Sequence, residues 1–121
     1  MLRFLRWIAG LLFVSLCGCS TTTNAALKNA TNSEIAVLYD SGFESSIKPG
    51  DTKKQNYNVR CIRVRSNGDI FEFSPPPLTE QLVRTGMLTS TVEAEFAEGG
   101  HLTIIALDGT AVPVKEGCAD V

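Results

Sequence analysis

Histidine, tryptophan and long apolar runs are scarce in this chain of 121 residues, and each shortage narrows its chemistry. The only histidine is His101, so a catalytic array built on histidine has a single candidate. It directly follows Gly99 and Gly100 and is expected to be an exposed turn residue. No Gly-x-Ser-x-Gly nucleophile elbow is present either. We therefore expect a protein that is not an enzyme, and we assign no catalytic residue.

Spacings typical of metal and phosphate sites are also missing. The sequence contains no metal-ligand spacing, Walker loop or dinucleotide fingerprint, so we expect no metal site and no cofactor. The nearest approach to a catalytic pair is Glu93 and Glu95, with Glu98 close by. Paired carboxylates carry out glycoside hydrolysis, but they need a cleft that a short chain has little room to build. The favoured interpretation is a solvated strand face, and a hydrolase is the least favoured class of function.

The chain also lacks an excess of positive charge. The chain has 11 lysines and arginines against 13 acidic residues. Two of the basic residues, Arg3 and Arg6, lie in an N-terminal segment that is expected to be removed, which leaves 9 basic residues and a net charge near −4. General nucleic-acid binders are basic, so no nucleic-acid partner is expected.

The longest apolar run lies near the N-terminus. Arg3 and Arg6 are followed by a mainly apolar stretch over residues 7–16 and then by small residues. This order is typical of a secretory signal peptide, which we assign to residues 1–18. The alternative is a permanent anchor helix. A bilayer span needs about 20 apolar residues, and the polar residues from Ser20 onward come too early for one.

The end of this segment, Leu16-Cys17-Gly18-Cys19, resembles the lipobox of bacterial lipoproteins. The resemblance implies cleavage after Gly18, a diacylglyceryl thioether on Cys19, and acylation of the new amino group, for instance with palmitate. Cys17 is then removed with the signal peptide. The alternative for Cys17 and Cys19 is a metal or redox pair, for which the chain lacks further ligands.

A lipid on Cys19 implies that the membrane is a partner. Two or more acyl chains form a stable anchor, whereas one chain binds marginally. In the lipoprotein family, an aspartate after the cysteine tends to retain the protein in the inner membrane, and this chain has Ser20 there. The resemblance therefore implies the outer membrane, facing the periplasm. Small polar residues follow, so residues 19–26 are expected to form the lipidated N-terminus and a tether.

The two remaining cysteines, Cys61 and Cys118, predict a disulfide, because an even pair in an oxidising compartment is usually bonded. The bond would close a loop of about 60 residues and contribute roughly 4 kcal/mol on the chain-entropy account. The alternative is two free buried thiols. Strand alternation places Cys61 on the face of Arg63 and Arg65, so the bond is expected outside the core unless a bulge reverses the faces.

Turn sequences recur at short intervals from residue 27 onward, and no long stretch keeps a helical period. This pattern predicts a single all-β domain over residues 27–121, a small antiparallel β-sandwich or barrel of about seven strands. Asn67-Gly68 marks a hairpin. Three prolines at 75–77 end a strand, and one short helical turn is predicted near residues 78–84. Val92, Ala94 and Phe96 are expected to share a core face.

Arg63 and Arg65 form the most suggestive cluster for binding, because two guanidinium groups on one strand face can hold phosphates or a partner's carboxylates. The alternative is cross-strand ion pairing, for which Glu72 across the hairpin is the obvious partner. The segment 73–78 could dock as a polyproline II helix, but a rigid connector is favoured.

These observations predict a non-enzymatic binding or structural module of the cell envelope, held at the outer membrane by its lipid. Its partner would be another envelope protein or a cell-wall component. The alternative is a lipoprotein that inhibits a cell-wall-degrading enzyme such as lysozyme, which rests on similarity in size and anchor alone. A barrel that binds a small apolar ligand also stays open.

Overall fold

The structure, a computed structural model, describes residues 22–118. This part of the chain forms β-strands and turns, and it contains no helix that could cross a membrane. Its strands are β1 (Thr22–Ala30), β2 (Ile35–Leu38), β3 (Glu44–Ile47), β4 (Thr52–Asn56), β5 (Ile62–Ser66), β6 (Asp69–Ser74), β7 (Val83–Thr85), β8 (Thr89–Ala97), β9 (His101–Ile105), β10 (Ala111–Pro113) and β11 (Lys115–Glu116). The expected signal peptide and the lipobox lie outside the described residues.

The strands form two sheets in a sandwich-like arrangement, which confirms the all-β prediction. The first sheet has the order β10-β9-β8-β1-β4, and β7 pairs with the part of β8 that β9 leaves free. The second sheet has the order β11-β6-β5-β2-β3. Neighbouring strands are antiparallel except β1 and β8, which run parallel. Within residues 22–118 there are eleven strands instead of about seven, because short pairings such as β7 and β11 carry little sequence signal.

The core lies between the sheets and is built from alternate residues of each strand. In β8 the expected core face is confirmed, since Val92, Ala94 and Phe96 are buried while Glu93 is exposed. The aromatic rings meet at Phe96, which packs edge-on against Phe73 with ring centroids 6.2 Å apart. The largest side chains buried to below 2 % exposure are Phe73, Phe96, Ile35, Ile47, Ile104, Val64, Val92 and Asn29.

The folded domain starts earlier than the sequence predicts. β1 begins at Thr22, so residues 22–26 belong to a strand and the expected tether over residues 19–26 is wrong from Thr22 onward. The physical reason is pairing on both sides, since β1 lies between β4 and β8 in the first sheet. Backbone hydrogen bonds to two neighbours hold polar residues such as Thr23 and Asn24 extended, although their side chains show no apolar alternation.

The helical turn expected near residues 78–84 is present as a single hydrogen-bonded turn, which does not continue into a helix. The carbonyl of Thr79 accepts hydrogen bonds from the N–H groups of Leu82 (3.0 Å) and Val83 (3.2 Å), which closes one turn. The chain then extends as β7, where Val83 pairs with Val92. Leu78, Leu82 and Val83 pack against the core, as their apolar character suggests, and only Val83 is held there by strand pairing.

The sandwich has two ends that differ in their contents. At the N-terminal end β1 begins, and the turns 39–43, 57–61 and 86–88 lie there. At the distal end β1 finishes, and the turns 31–34, 48–51, 66–69 and 98–100 lie there.

Candidate functional site

Arg63 and Arg65 lie on the outer face of the second sheet, and both are ion-paired. Arg63 donates from one terminal nitrogen to Asp40 (2.7 Å) and from Nε to Glu72 (3.1 Å). Arg65 donates from its two terminal nitrogens to the two carboxylate oxygens of Glu44, at 2.6 and 3.3 Å. The cross-strand pairing with Glu72 that the sequence offers as an alternative to a binding role is therefore present.

The carboxylates fix the guanidinium groups without covering them. The side chain of Arg63 keeps 26 % of its surface exposed, and that of Arg65 keeps 42 %. A guanidinium carries five N–H donors, so each arginine retains donors beyond those it uses here. The hydrogen bond and charge of Arg65 lower the pKa of the Glu44 carboxyl, so this pair stays ionised well below neutral pH.

An exposed apolar side chain accompanies the arginines. Ile70 of β6 lies directly opposite Arg65 of β5 in the register and is 57 % exposed. We call the set Arg63, Arg65 and Ile70 the arginine face. It combines flat, multidentate donors with a contact surface that water solvates poorly, which is the composition that binding hot spots favour.

The Cys61–Cys118 disulfide is present, with Cα atoms 5.7 Å apart. It reaches across β6, because β11 pairs with Phe73 and Ser74 and carries Cys118 to the far side of that strand. Both sulfurs lie within 4.8 Å of a carboxylate oxygen of Glu72, which points outward, so the bond lies on the outer side of the sheet, as expected. Because both thiols are consumed in the bond, this cluster offers one carboxylate and no metal site.

A narrow apolar cleft opens between the sheets at the N-terminal end. Its volume is about 50 Å³, and Tyr39, Tyr57 and Val59 line it together with core residues. An apolar cavity of about 150 Å³ is needed to hold benzene, so the cleft as built is too small for a ring-sized ligand. Burial raises the pKa of the Tyr57 hydroxyl to about 12, and this hydroxyl donates to the carbonyl of Pro76 (2.7 Å).

The residues considered for catalysis do not converge. His101 opens β9 and is exposed, as expected. Glu93 lies near Arg84 (4.0 Å) on the outer face of the first sheet, while Glu98 accepts a hydrogen bond from the N–H of Asn32 at the distal end. The carboxylates of Glu93 and Glu98 therefore lie in different surroundings. Neither of them lies with Glu95 in a common cleft.

The sequence also contains one spacing that occurs in catalytic sites and was not considered above. Ser45 and Lys48 have the Ser-x-x-Lys spacing of some acyl-transfer enzymes. That spacing joins the two side chains on a helix, but Ser45 is in a strand, where residues three apart point to opposite faces. Ser45 Oγ accepts from Gln55 Nε2 (2.9 Å), and Lys48 is exposed, so the two groups serve no common site.

The proline segment connects the two sheets. It leads from β6 of the second sheet to β7 of the first, and Pro75 and Pro76 are half-buried. Phe73 at its start is fully buried, and Leu78 at its end packs against the core. The segment therefore has the geometry of a connector, and its apolar ends are already occupied inside the domain.

Compared with known protein families, curated proteins and solved structures, the chain gives no significant match.

Proposed function

We propose that this protein is a lipoprotein, anchored through Cys19 at the outer membrane and facing the periplasm, that acts by binding another envelope protein or a cell-wall component. The lipobox-like sequence supports the anchor. The observation that carries the binding role is the arginine face, in which two arginines and an exposed isoleucine share one side of a regular sheet. No step of this function requires catalysis.

Positioning of the arginines by carboxylates supports recognition. An arginine that is already held in one conformation loses less side-chain entropy on binding than a free one. Asp40, Glu44 and Glu72 also surround the arginines with negative charge, so the face favours a partner that presents both signs of charge. The spacing of Arg63 and Arg65 along one strand is about 6.6–6.8 Å, which suits two separate acidic groups of one partner.

The binding role is tested by in-cell crosslinking and recovery of the mature protein, with lysozyme among the candidate partners probed. The double variant Arg63→Ala with Arg65→Ala is expected to recover the partner about tenfold less well, as loss of hot-spot arginines does. The matched control is Arg84→Ala, an exposed arginine on the other sheet, which should recover it normally. Equal recovery from wild type, double variant and control would show that the arginine face is not the binding surface.

The stability of the same variants separates binding from bracing. Exposed ion pairs contribute little to folding, so the melting temperature of the double variant should stay close to that of the wild type. If it instead unfolds, the arginines hold neighbouring strands together and the loss of partner recovery has a structural cause.

The anchor is tested independently. Cys19→Ala is expected to abolish incorporation of labelled fatty acid and to leave an unprocessed precursor. A Cys19→Ala chain that is cleaved normally and still carries fatty acid contradicts the anchor.

A further inference from the structure

The turn between β7 and β8 carries the two most exposed large apolar side chains of the described residues. Met87 is 93 % exposed and Leu88 is 77 % exposed. The surrounding sequence, TGMLTS over residues 85–90, contains no charged side chain. A single exposed apolar residue is ordinary. Two adjacent ones at the tip of an uncharged hairpin form a compact apolar projection, which water solvates poorly.

This tip lies where the chain comes from Cys19. β1 and β8 are parallel, with Thr22 opposite Thr89, so the start of β1 and the tip preceding β8 leave the sheet at the same end. The N–H of Thr22 donates to the carbonyl of Leu88 (3.3 Å), which holds the two segments side by side. Thr22 is the third residue after Cys19 in the sequence. Extended backbone spans at most about 3.3–3.6 Å per residue, so Cys19 lies within about 11 Å of this point.

We infer that the hairpin tip Gly86-Met87-Leu88 is a second membrane contact, which inserts into the surface of the bilayer that holds the lipid on Cys19. The inference rests on the lipid anchor proposed above. An anchor this close brings the tip to the boundary between headgroups and acyl chains, where apolar side chains of peripheral proteins enter about 5–10 Å. The short distance also means that burying the tip demands no change in the fold.

The bilayer is the occupant that this surface fits. The tip offers no charge with which to select a protein partner, and apolar contact is all that insertion requires. Phe43, in the turn 39–43, is a further exposed aromatic residue at the same end, and aromatic side chains favour the headgroup region. Two points of attachment, the lipid and the tip, would hold β1 upright and turn the distal end away from the membrane.

The test uses a tryptophan reporter. The only tryptophan of the chain is Trp7, in the segment that is removed with the signal peptide, so Met87→Trp gives the mature protein a single fluorophore. The lipidated protein is reconstituted in phosphatidylethanolamine and phosphatidylglycerol vesicles with plain or brominated acyl chains. In plain vesicles, Met87→Trp is expected to emit at a shorter wavelength than a tryptophan exposed to water. The brominated lipid is expected to quench this emission.

The matched control is Lys48→Trp, an exposed position in the distal turn 48–51. Its emission is expected to be the same in both kinds of vesicle. Both substituted side chains are exposed, so the melting temperature of each variant should match that of the wild type and report an intact fold. Equal emission of Met87→Trp in plain and brominated vesicles overturns the inference and leaves the tip to a protein partner.

Acylation is measured by mass spectrometry on the same samples, which separates the two proposals. If Cys19 is acylated and the protein stays with the vesicles, but Met87→Trp is not quenched, the second contact is wrong while the anchor stands. If Cys19 carries no lipid, the anchor is wrong, and the contact that depends on it falls with it.

Discussion

The two ends of the sandwich are stabilised in different ways. At the distal end, the buried side chain of Asn29 uses every hydrogen-bonding position of its amide. It donates to the carbonyls of Ser33 (2.8 Å) and Ile47 (2.9 Å) and accepts from the N–H (2.9 Å) and hydroxyl (2.7 Å) of Thr31. The N-terminal end relies on the Cys61–Cys118 bond close to where β5 begins, and it exposes Met87 and Leu88.

The difference shows where this domain can tolerate an apolar surface. Side-chain hydrogen bonds reach three turns at the distal end, the buried ones through Asn29 and an exposed one from Ser33 to Asn67, so that end is closed by polar contacts. At the N-terminal end a disulfide joins the start of β5 to the segment after β11, and the turn 86–88 carries the exposed apolar residues Met87 and Leu88. We expect substitutions to separate these two modes of stabilisation.

The largest effect is expected from removing the disulfide. The paired change Cys61→Ser with Cys118→Ser releases a loop with a sequence separation of 57 residues. On the chain-entropy account this lowers the free energy of unfolding by roughly 4 kcal/mol. Urea unfolding of the mature domain measures the loss, and amide hydrogen exchange should quicken first in β11 and in residues 57–61. Faster exchange that begins at the distal end would contradict the comparison.

A smaller loss is expected at the distal end. Asn29→Ala leaves buried groups of Thr31 and Ile47 without partners and should cost roughly 2–3 kcal/mol, since each unpaired buried group costs about 1–3 kcal/mol. The control is Asn24→Ala on the same strand at the N-terminal end, where the side chain is half-exposed. That change should stay within about 0.5 kcal/mol. Equal losses in urea unfolding would show that the two ends do not differ.

The smallest effect concerns Tyr57 at the N-terminal end. Tyr57→Phe removes the hydrogen bond to Pro76 and should cost about 1 kcal/mol at neutral pH. Burial raises the pKa of Tyr57 from the ordinary 10.0 to about 12, so the unfolded chain ionises first as the pH rises. The free energy of unfolding should therefore be steady below pH 10.0 and fall between 10.0 and about 12.

The same pH series provides the control for Tyr57. Tyr57→Phe should weaken the alkaline decline without abolishing it, because burial also raises the pKa of Tyr39. Unfolding curves at a series of alkaline pH values compare Tyr57→Phe with the wild type. A decline that is unchanged in Tyr57→Phe would mean that its hydroxyl ionises alike in the folded and unfolded chains.

Local pattern was enough to predict the regular parts of the fold. The alternation of Val92, Ala94 and Phe96 identified a core face, and the Asn67-Gly68 hairpin set the register that places Arg63 opposite Glu72. Both inferences use neighbours in sequence or a single tight turn, so no long-range information is required.

Long-range pairing explains what the sequence could not predict. Asp40 and Glu44 also pair with the arginines. Asp40 lies in the turn after β2 and Glu44 is the first residue of the edge strand β3, so their approach to the arginines depends on the order of strands in the sheet. Similarly, polar residues at the start of β1 read as a tether because their partners in β8 are distant in the chain. The pairing of Cys61 with Cys118 was predictable from an even number of remaining cysteines in an expected oxidising compartment, once Cys17 and Cys19 had been assigned to the N-terminal segment.

The parallel pairing of β1 with β8 has a consequence for the order of folding. Synthesis from the N-terminus delivers β1 first, yet the strand that pairs with Thr22 starts at Thr89. Contacts between segments so far apart in sequence form slowly, and strands that wait for them are prone to aggregate. The first sheet thus closes only when most of the chain has emerged. Until then β1 presents an open edge close in sequence to Cys19, the proposed site of lipid attachment.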